Sequence, residues 1–121
     1  MPTLSITFPF NPDLSENKRL GFSPRMGRMY AQNGYKKAKA ALTLAISFAK
    51  ARARAAFAPR TRVWVDLRVY RPGGQSDASN YVKGLNDAIS AAIGLNDNLF
   101  DGSYRGLIDK KNPRFEIIIS Q

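Results

Sequence analysis

Residues 62–70 alternate without a break. Val63, Val65, Leu67 and Val69 face one way, while Arg62, Trp64, Asp66, Arg68 and Tyr70 face the other. A period of two over this length predicts a half-buried β-strand, so the chain contains a sheet with a covered face. Arg71-Pro72-Gly73-Gly74 ends the strand. A second alternating run spans 3–8, with Leu4, Ile6 and Phe8 opposite Thr3, Ser5 and Thr7. Pro9-Phe10-Asn11-Pro12 stops it. Residues 104–109 and 114–119 read as two more strands, and Lys110-Lys111-Asn112-Pro113 predicts a hairpin between them.

Between the strands the period changes. Over 30–57, Tyr35, Ala38, Leu42, Ile46, Ala49, Ala53 and Phe57 recur at helical spacing and form one stripe. Leu44 and Phe48 lie on the far side, which points to a second buried surface such as a subunit contact. Lys50, Arg52 and Arg54 suit the negative end of the helix dipole, and Pro59 closes the segment. A second helix is predicted over 77–93, with Tyr81, Val82, Leu85, Ala88, Ile89 and Ala92 on its packing face. Residues 11–29 have no period and hold Lys18, Arg19, Arg25 and Arg28, so they read as a long basic loop in contact with phosphate. The order of elements predicts an α/β (α+β) fold. A small mixed β-sheet packs against two main helices, in a single domain over residues 1–121.

Nineteen Lys and Arg residues against nine Asp and Glu give a net charge of +10. Such an excess repels itself and points to a polyanionic partner. Nucleic acid is favoured over a membrane surface, because no segment joins a basic face to large exposed apolar residues. The chain has neither cysteine nor histidine. Disulfides, thiolate catalysis, zinc-finger chemistry and His-based triads are excluded. A metal would be held by oxygen, which favours Mg²⁺, or Mn²⁺ in its place, over zinc. No apolar run reaches membrane-spanning length. Met1-Pro2-Thr3-Leu4 carries no signal-peptide pattern, so a cytoplasmic protein is expected.

Within this basic chain, four of the nine acids (Asp77, Asp87, Asp97 and Asp101) lie between 77 and 101. Asp77, Asn80, Lys83 and Asp87 fall at spacings that align them along one face of the second helix. Asp97 follows in the loop Gly94-Leu95-Asn96-Asp97-Asn98, and joins the row only if that loop folds back. Phosphodiester hydrolysis needs an activated water and stabilised charge on the phosphorus centre, and divalent metals supply both. Carboxylates such as Asp77 and Asp97, together with substrate phosphate, suit Mg²⁺. Lys83 could bind the scissile phosphate, or move a proton if its pKa is depressed. Asn80 could orient a carboxylate or a bound water. Each residue also has a plain structural reading. Asp77 could be an N-cap contributing about 1 kcal/mol, Lys83 and Asp87 a solvated ion pair, and Asp97 and Asp101 turn residues. The basic loop could be simple solvated surface.

Taken together, Asp77-Ala78-Ser79-Asn80-Tyr81-Val82-Lys83-Gly84-Leu85-Asn86-Asp87 and the later Asn96-Asp97 are more specific. They resemble the RusA-like family of Holliday junction resolvases of bacteria and prophages. That family's pattern is D-x-D-N-x-x-K-x-x-x-D, then an acidic pair before a strand. The opening strand into Pro9, the basic loop, the long first helix, the strand before Arg71-Pro72 and the closing strand 114–119 resemble its layout as well, over nearly the whole chain. The resemblance implies that Asp77 and Asp97 are metal-binding catalytic carboxylates, that Lys83 and Asn80 are the functional lysine and asparagine, and that Asp87 is an acidic position beside them. Asp87 and Asp101 are further candidate ligands. Lys18, Arg19, Arg25, Arg28, Arg71 and Lys83 are the candidate DNA-binding residues. The implied activity is Mg²⁺-dependent, carried out by a homodimer that cuts branched DNA at a four-way junction with paired symmetric nicks.

The chain departs from the pattern at two positions. Ser79 replaces the second Asp, and Asn96 replaces the first member of the acidic pair. A hydroxyl can bond a metal-bound water but adds no charge to hold the cation. The sequence therefore leaves a second reading open, a branched-DNA-binding protein of the same fold with a weakened or lost catalytic site. An RNA-binding protein would explain the charge but not the acidic row.

Overall fold

The computed structural model describes residues 2–16, 20–23, 28–31, 33–74 and 77–121. For 20–23 and 28–31 it describes the backbone only. The strands are β1 (Thr3–Pro9), β2 (Leu20–Ser23), β3 (Arg28–Ala31), β4 (Val63–Arg71), β5 (Phe100–Ile108) and β6 (Arg114–Ser120). The helices are α1 (Asn33–Ala53) and α2 (Ser79–Ile93). Four of the strands form one mixed sheet in the order β1-β6-β4-β5. The mixed sheet and two helices match the expected fold class.

The alternation in β4 gives the layering. Val63, Val65, Leu67 and Val69 are buried, and on the adjacent β6 so are Phe115, Ile117 and Ile119. Against them pack Ala38, Leu42 and Ile46 of α1 and Tyr81, Leu85, Ala88 and Ile89 of α2. These are the faces the helical spacing predicted. Apolar area leaving water at about 25 cal/mol per Å² is what holds the two layers together. The opposite side of the sheet carries polar and charged side chains, and Trp64 stands 55% exposed there. Leu44 and Phe48 of α1 are 55% and 61% exposed, on the side of α1 away from the core.

The structure departs from the expected elements in three places. Residues 11–29 are not one irregular loop. A 3₁₀ turn spans Pro12–Leu14, and β2 pairs antiparallel with β3. These strands are four residues each, too short for alternation to stand out. Helix α1 begins at Asn33, because Tyr30 and Ala31 belong to β3. It stops at Ala53, where Arg54 turns to φ 51°. Last, β5 and β6 do not form a hairpin. β5 runs parallel to β4 at the sheet edge, and β6 pairs antiparallel with both β4 and β1. The chain from Asp109 to Pro113 therefore crosses the end of β4. The Asp109 N–H donates to the Arg71 carbonyl at 2.8 Å. The Arg114 guanidinium is bonded to Asp109 and Glu116 (both 2.9 Å) and stacks on Tyr70.

Candidate active site

Helix α2 carries the site. Its buried stripe orients the helix on the sheet and leaves Asn80, Lys83 and Asp87 on a neighbouring face. Gly94 ends the helix in the left-handed region (φ 73°), and its N–H bonds the Ser90 carbonyl. A glycine enters that region without the steric penalty of a Cβ. The Ser90 hydroxyl then donates to the Leu95 carbonyl at 2.6 Å, which turns the chain back along the helix. The Asn96 side chain accepts from the Asn98 N–H at 3.0 Å and caps the 3₁₀ turn Asp97–Leu99. Asn96 is thus a turn residue holding Asp97 in place.

The returning loop brings Asp97 to the helix. The Lys83 ammonium lies 3.0 Å from Asp87 Oδ1 and 3.5 Å from Asp97 Oδ2. Asp87 Oδ2 accepts a hydrogen bond from the Tyr35 hydroxyl of α1 at 2.9 Å. One ammonium thus joins two carboxylates, and a buried tyrosine fixes the first of them. The Asp87 hydrogen bond and charge, together with Asp97, raise the Lys83 pKa above its ordinary value. Burial is the only opposing influence. A depressed pKa, the condition for proton transfer by Lys83, is not what these neighbours produce. Lys83 is a fixed cation suited to holding phosphate.

Asp77 precedes α2 with its side chain exposed, and its carbonyl accepts from the Asn80 N–H at 3.1 Å. It is not the side-chain cap of the helix, because the cap position is Ala78, which makes no side-chain bond. Asn80 is half-buried in the first turn. Asp101 is elsewhere. It pairs with Arg62 at 3.6 Å, in register with the outward-facing Trp64 of β4. Arg71 ends β4. Lys18, Arg19 and Arg25 lie outside the described residues, and of Arg28 only the backbone is described, in β3.

Among the described residues, no group of three or more Asp or Glu side chains is placed to hold a metal ion. The acids that the structure brings together are Asp87 and Asp97, which share the Lys83 ammonium as their cation. A carboxylate pair fits Mg²⁺ in sites where substrate phosphate oxygens and water complete the shell. None of the described helices is long and apolar enough to cross a membrane. No protein-family model and no curated protein matches the chain.

Tyr35 was not visible to the sequence as a site residue, since its spacing places it in the core stripe of α1. The available signal was its hydroxyl, because a buried tyrosine needs a polar partner.

Proposed function

We propose that this chain is a RusA-like, Mg²⁺-dependent, structure-selective endodeoxyribonuclease. It resolves four-way DNA junctions by paired symmetric nicks in recombination and repair, and acts in the cytoplasm as a homodimer. The observation that carries this reading is the return of Asp97 to Lys83, which joins the two separated parts of the motif into one cluster. Asp77 and Asp97 would hold the metal together with the phosphate oxygens, with Asp87 paired to Lys83 beside them. Bound there, Mg²⁺ (or Mn²⁺) would supply an activated water and charge compensation at the phosphate. The Lys83 ammonium, beside Asp87 and Asp97, would meet the scissile phosphate, and Tyr35 keeps Asp87 oriented. Asn80, one turn before Lys83, orients a water or a carboxylate. A two-fold dimer presents two identical sites to two strands of like polarity.

The test is cleavage of a synthetic four-way junction with Mg²⁺. Wild type is expected to produce paired nicks, and Asp77→Asn and Asp97→Asn to lose at least about 100-fold in rate, on the order of what a positioned catalytic group contributes. Unchanged cutting by both variants would sink the proposal. A second reading draws support from Ser79 and from the absence of a three-acid group among the described residues. In that reading the chain binds branched DNA without cutting it. Ser79→Asp separates the two. Tighter Mg²⁺ binding and faster cutting favour the nuclease, whereas salt-sensitive junction binding with no cutting in either form favours the binding protein.

A further inference from the structure

Arg71 is the last residue of β4, and the lysine cluster does not use it. Its Nε is buried without a hydrogen-bond partner, and among the described residues its guanidinium makes no ion pair. An unpaired buried donor on a cation is costly, and because Nε itself is closed to solvent, a ligand in the cavity would meet the half-buried remainder of the side chain. The guanidinium packs close to the backbone of β5. Gly106 of β5 lies beneath it, and a Cβ there would come 3.5 Å from Arg71 Nη2 and 2.7 Å from the Ala78 Cβ. The Arg71 carbonyl is tied to the Asp109 N–H. The backbone is held before any ligand arrives.

The guanidinium walls a cavity of about 550 Å³ together with Phe10, Pro12, Pro72, Gly73 and Tyr81. That volume is in the range that takes small molecules. Phe10 is a rigid wall, edge-on to Tyr81 at 5.2 Å and tilted against Phe115 at 5.3 Å. Gly73 has open space where a side chain would stand, so the cavity is unobstructed on that side. Among the described residues, no carboxylate lines it. Among the described lining residues, a cation, a half-exposed aromatic ring and two prolines, with no acid, complement a flat ring that carries an anion.

We infer that this cavity holds one nucleotide of a nucleic-acid strand, with its phosphate on Arg71 and its base against Phe10. Base–aromatic stacking combined with a basic contact to the backbone is how single strands are gripped without sequence preference. The identity of the ligand rests on the proposed action on DNA, but the site is independent of the cutting chemistry. Tyr81 lines the cavity and Lys83 stands two residues further along α2.

The test uses isotope-labelled full-length protein in metal-free buffer, titrated with thymidine 5′-monophosphate, thymidine, inorganic phosphate or an acidic peptide, and followed by NMR. The monophosphate is expected to shift the Gly73, Gly74 and Gly106 amides saturably, with thymidine and phosphate each at least tenfold weaker. Arg71→Met is expected to lose at least tenfold in affinity for the monophosphate. Phe10→Leu should weaken the monophosphate but not phosphate. Phosphate binding as tightly as the monophosphate, the acidic peptide binding in its place, or shifts confined to other residues would each overturn the inference, and these comparisons need no variant. Junction cutting by the same preparation is read separately. Nucleotide binding without cutting removes the proposed activity and keeps the pocket, and cutting without these shifts does the reverse.

Discussion

A single hydroxyl on α1 ties the two helices together at the site. Tyr35 and Asp87 are 52 positions apart, and their hydrogen bond spans the helix–helix contact. A hydrogen bond to a charged acceptor contributes on the order of 1.5–3 kcal/mol. Tyr35→Phe should lower stability by about that much in urea unfolding while keeping the ring's packing. Lys83 makes a pH prediction. Its folded pKa is raised, so the folded state holds the proton more tightly. The resulting stability is fully present below the ordinary lysine value of about 10.4, and is lost as pH rises through the folded value. Unfolding measured from about pH 7 to about pH 11 should show an alkaline loss in wild type that Lys83→Met lacks. The Lys83–Asp87 pair was legible from its i,i+4 spacing. The Tyr35 bond was not, because helical periodicity says which side a residue faces and not which atom it meets.

At the scale of elements, two glycines set the geometry. Gly94 takes a left-handed conformation, which costs other residues about 1–2 kcal/mol. Gly94→Ala should therefore lower stability by about 1 kcal/mol in thermal unfolding, and should loosen Asp97 from Lys83. Gly84 sits where α2 meets the turn at Leu14, and a Cβ there would lie 2.5 Å from the Leu14 carbonyl oxygen. Because that neighbour is backbone, Gly84→Ala should cost about 1–3 kcal/mol. An equally stable variant would show that the contact relaxes freely. The pattern Gly94-Leu95-Asn96-Asp97 signals a turn, but its direction depends on the Ser90 and Asn96 side-chain bonds. Strand pairing was hidden for a related reason. Alternation in 114–119 identifies the residues that face inward, and both neighbours of β6 accept that pattern equally. The short loop before β6 suggested the wrong partner.

At the scale of the whole molecule the charge is unevenly placed. Twelve of the nineteen basic residues fall between Glu16 and Asp66, a stretch with no Asp or Glu. The remaining residues hold seven basic and nine acidic side chains. The excess therefore belongs to the β2–β3 segment, to α1 and to the connection into β4, while the acidic cluster belongs to α2. Such a division suits a surface that holds a polyanion apart from the groups that act on it. Junction binding followed by fluorescence anisotropy should weaken steeply with salt. Lys36→Gln with Lys37→Gln, both exposed on α1, should reduce the slope of log K against log salt by about 0.9 for each phosphate that is no longer neutralised. An unchanged slope would place the phosphate-binding cations elsewhere.

The position of β6 between β1 and β4 also bears on assembly. β1 precedes β6 by nearly the whole length of the described residues, and among these Leu4 has no strand neighbour until Ile119 arrives opposite it. The two-layer core cannot close around α1 and α2 before that pairing forms. Closing so long a loop is entropically slow. A chain whose β6 has not yet paired therefore leaves its buried stripes uncovered, and its window for misassociation ends only when β6 inserts.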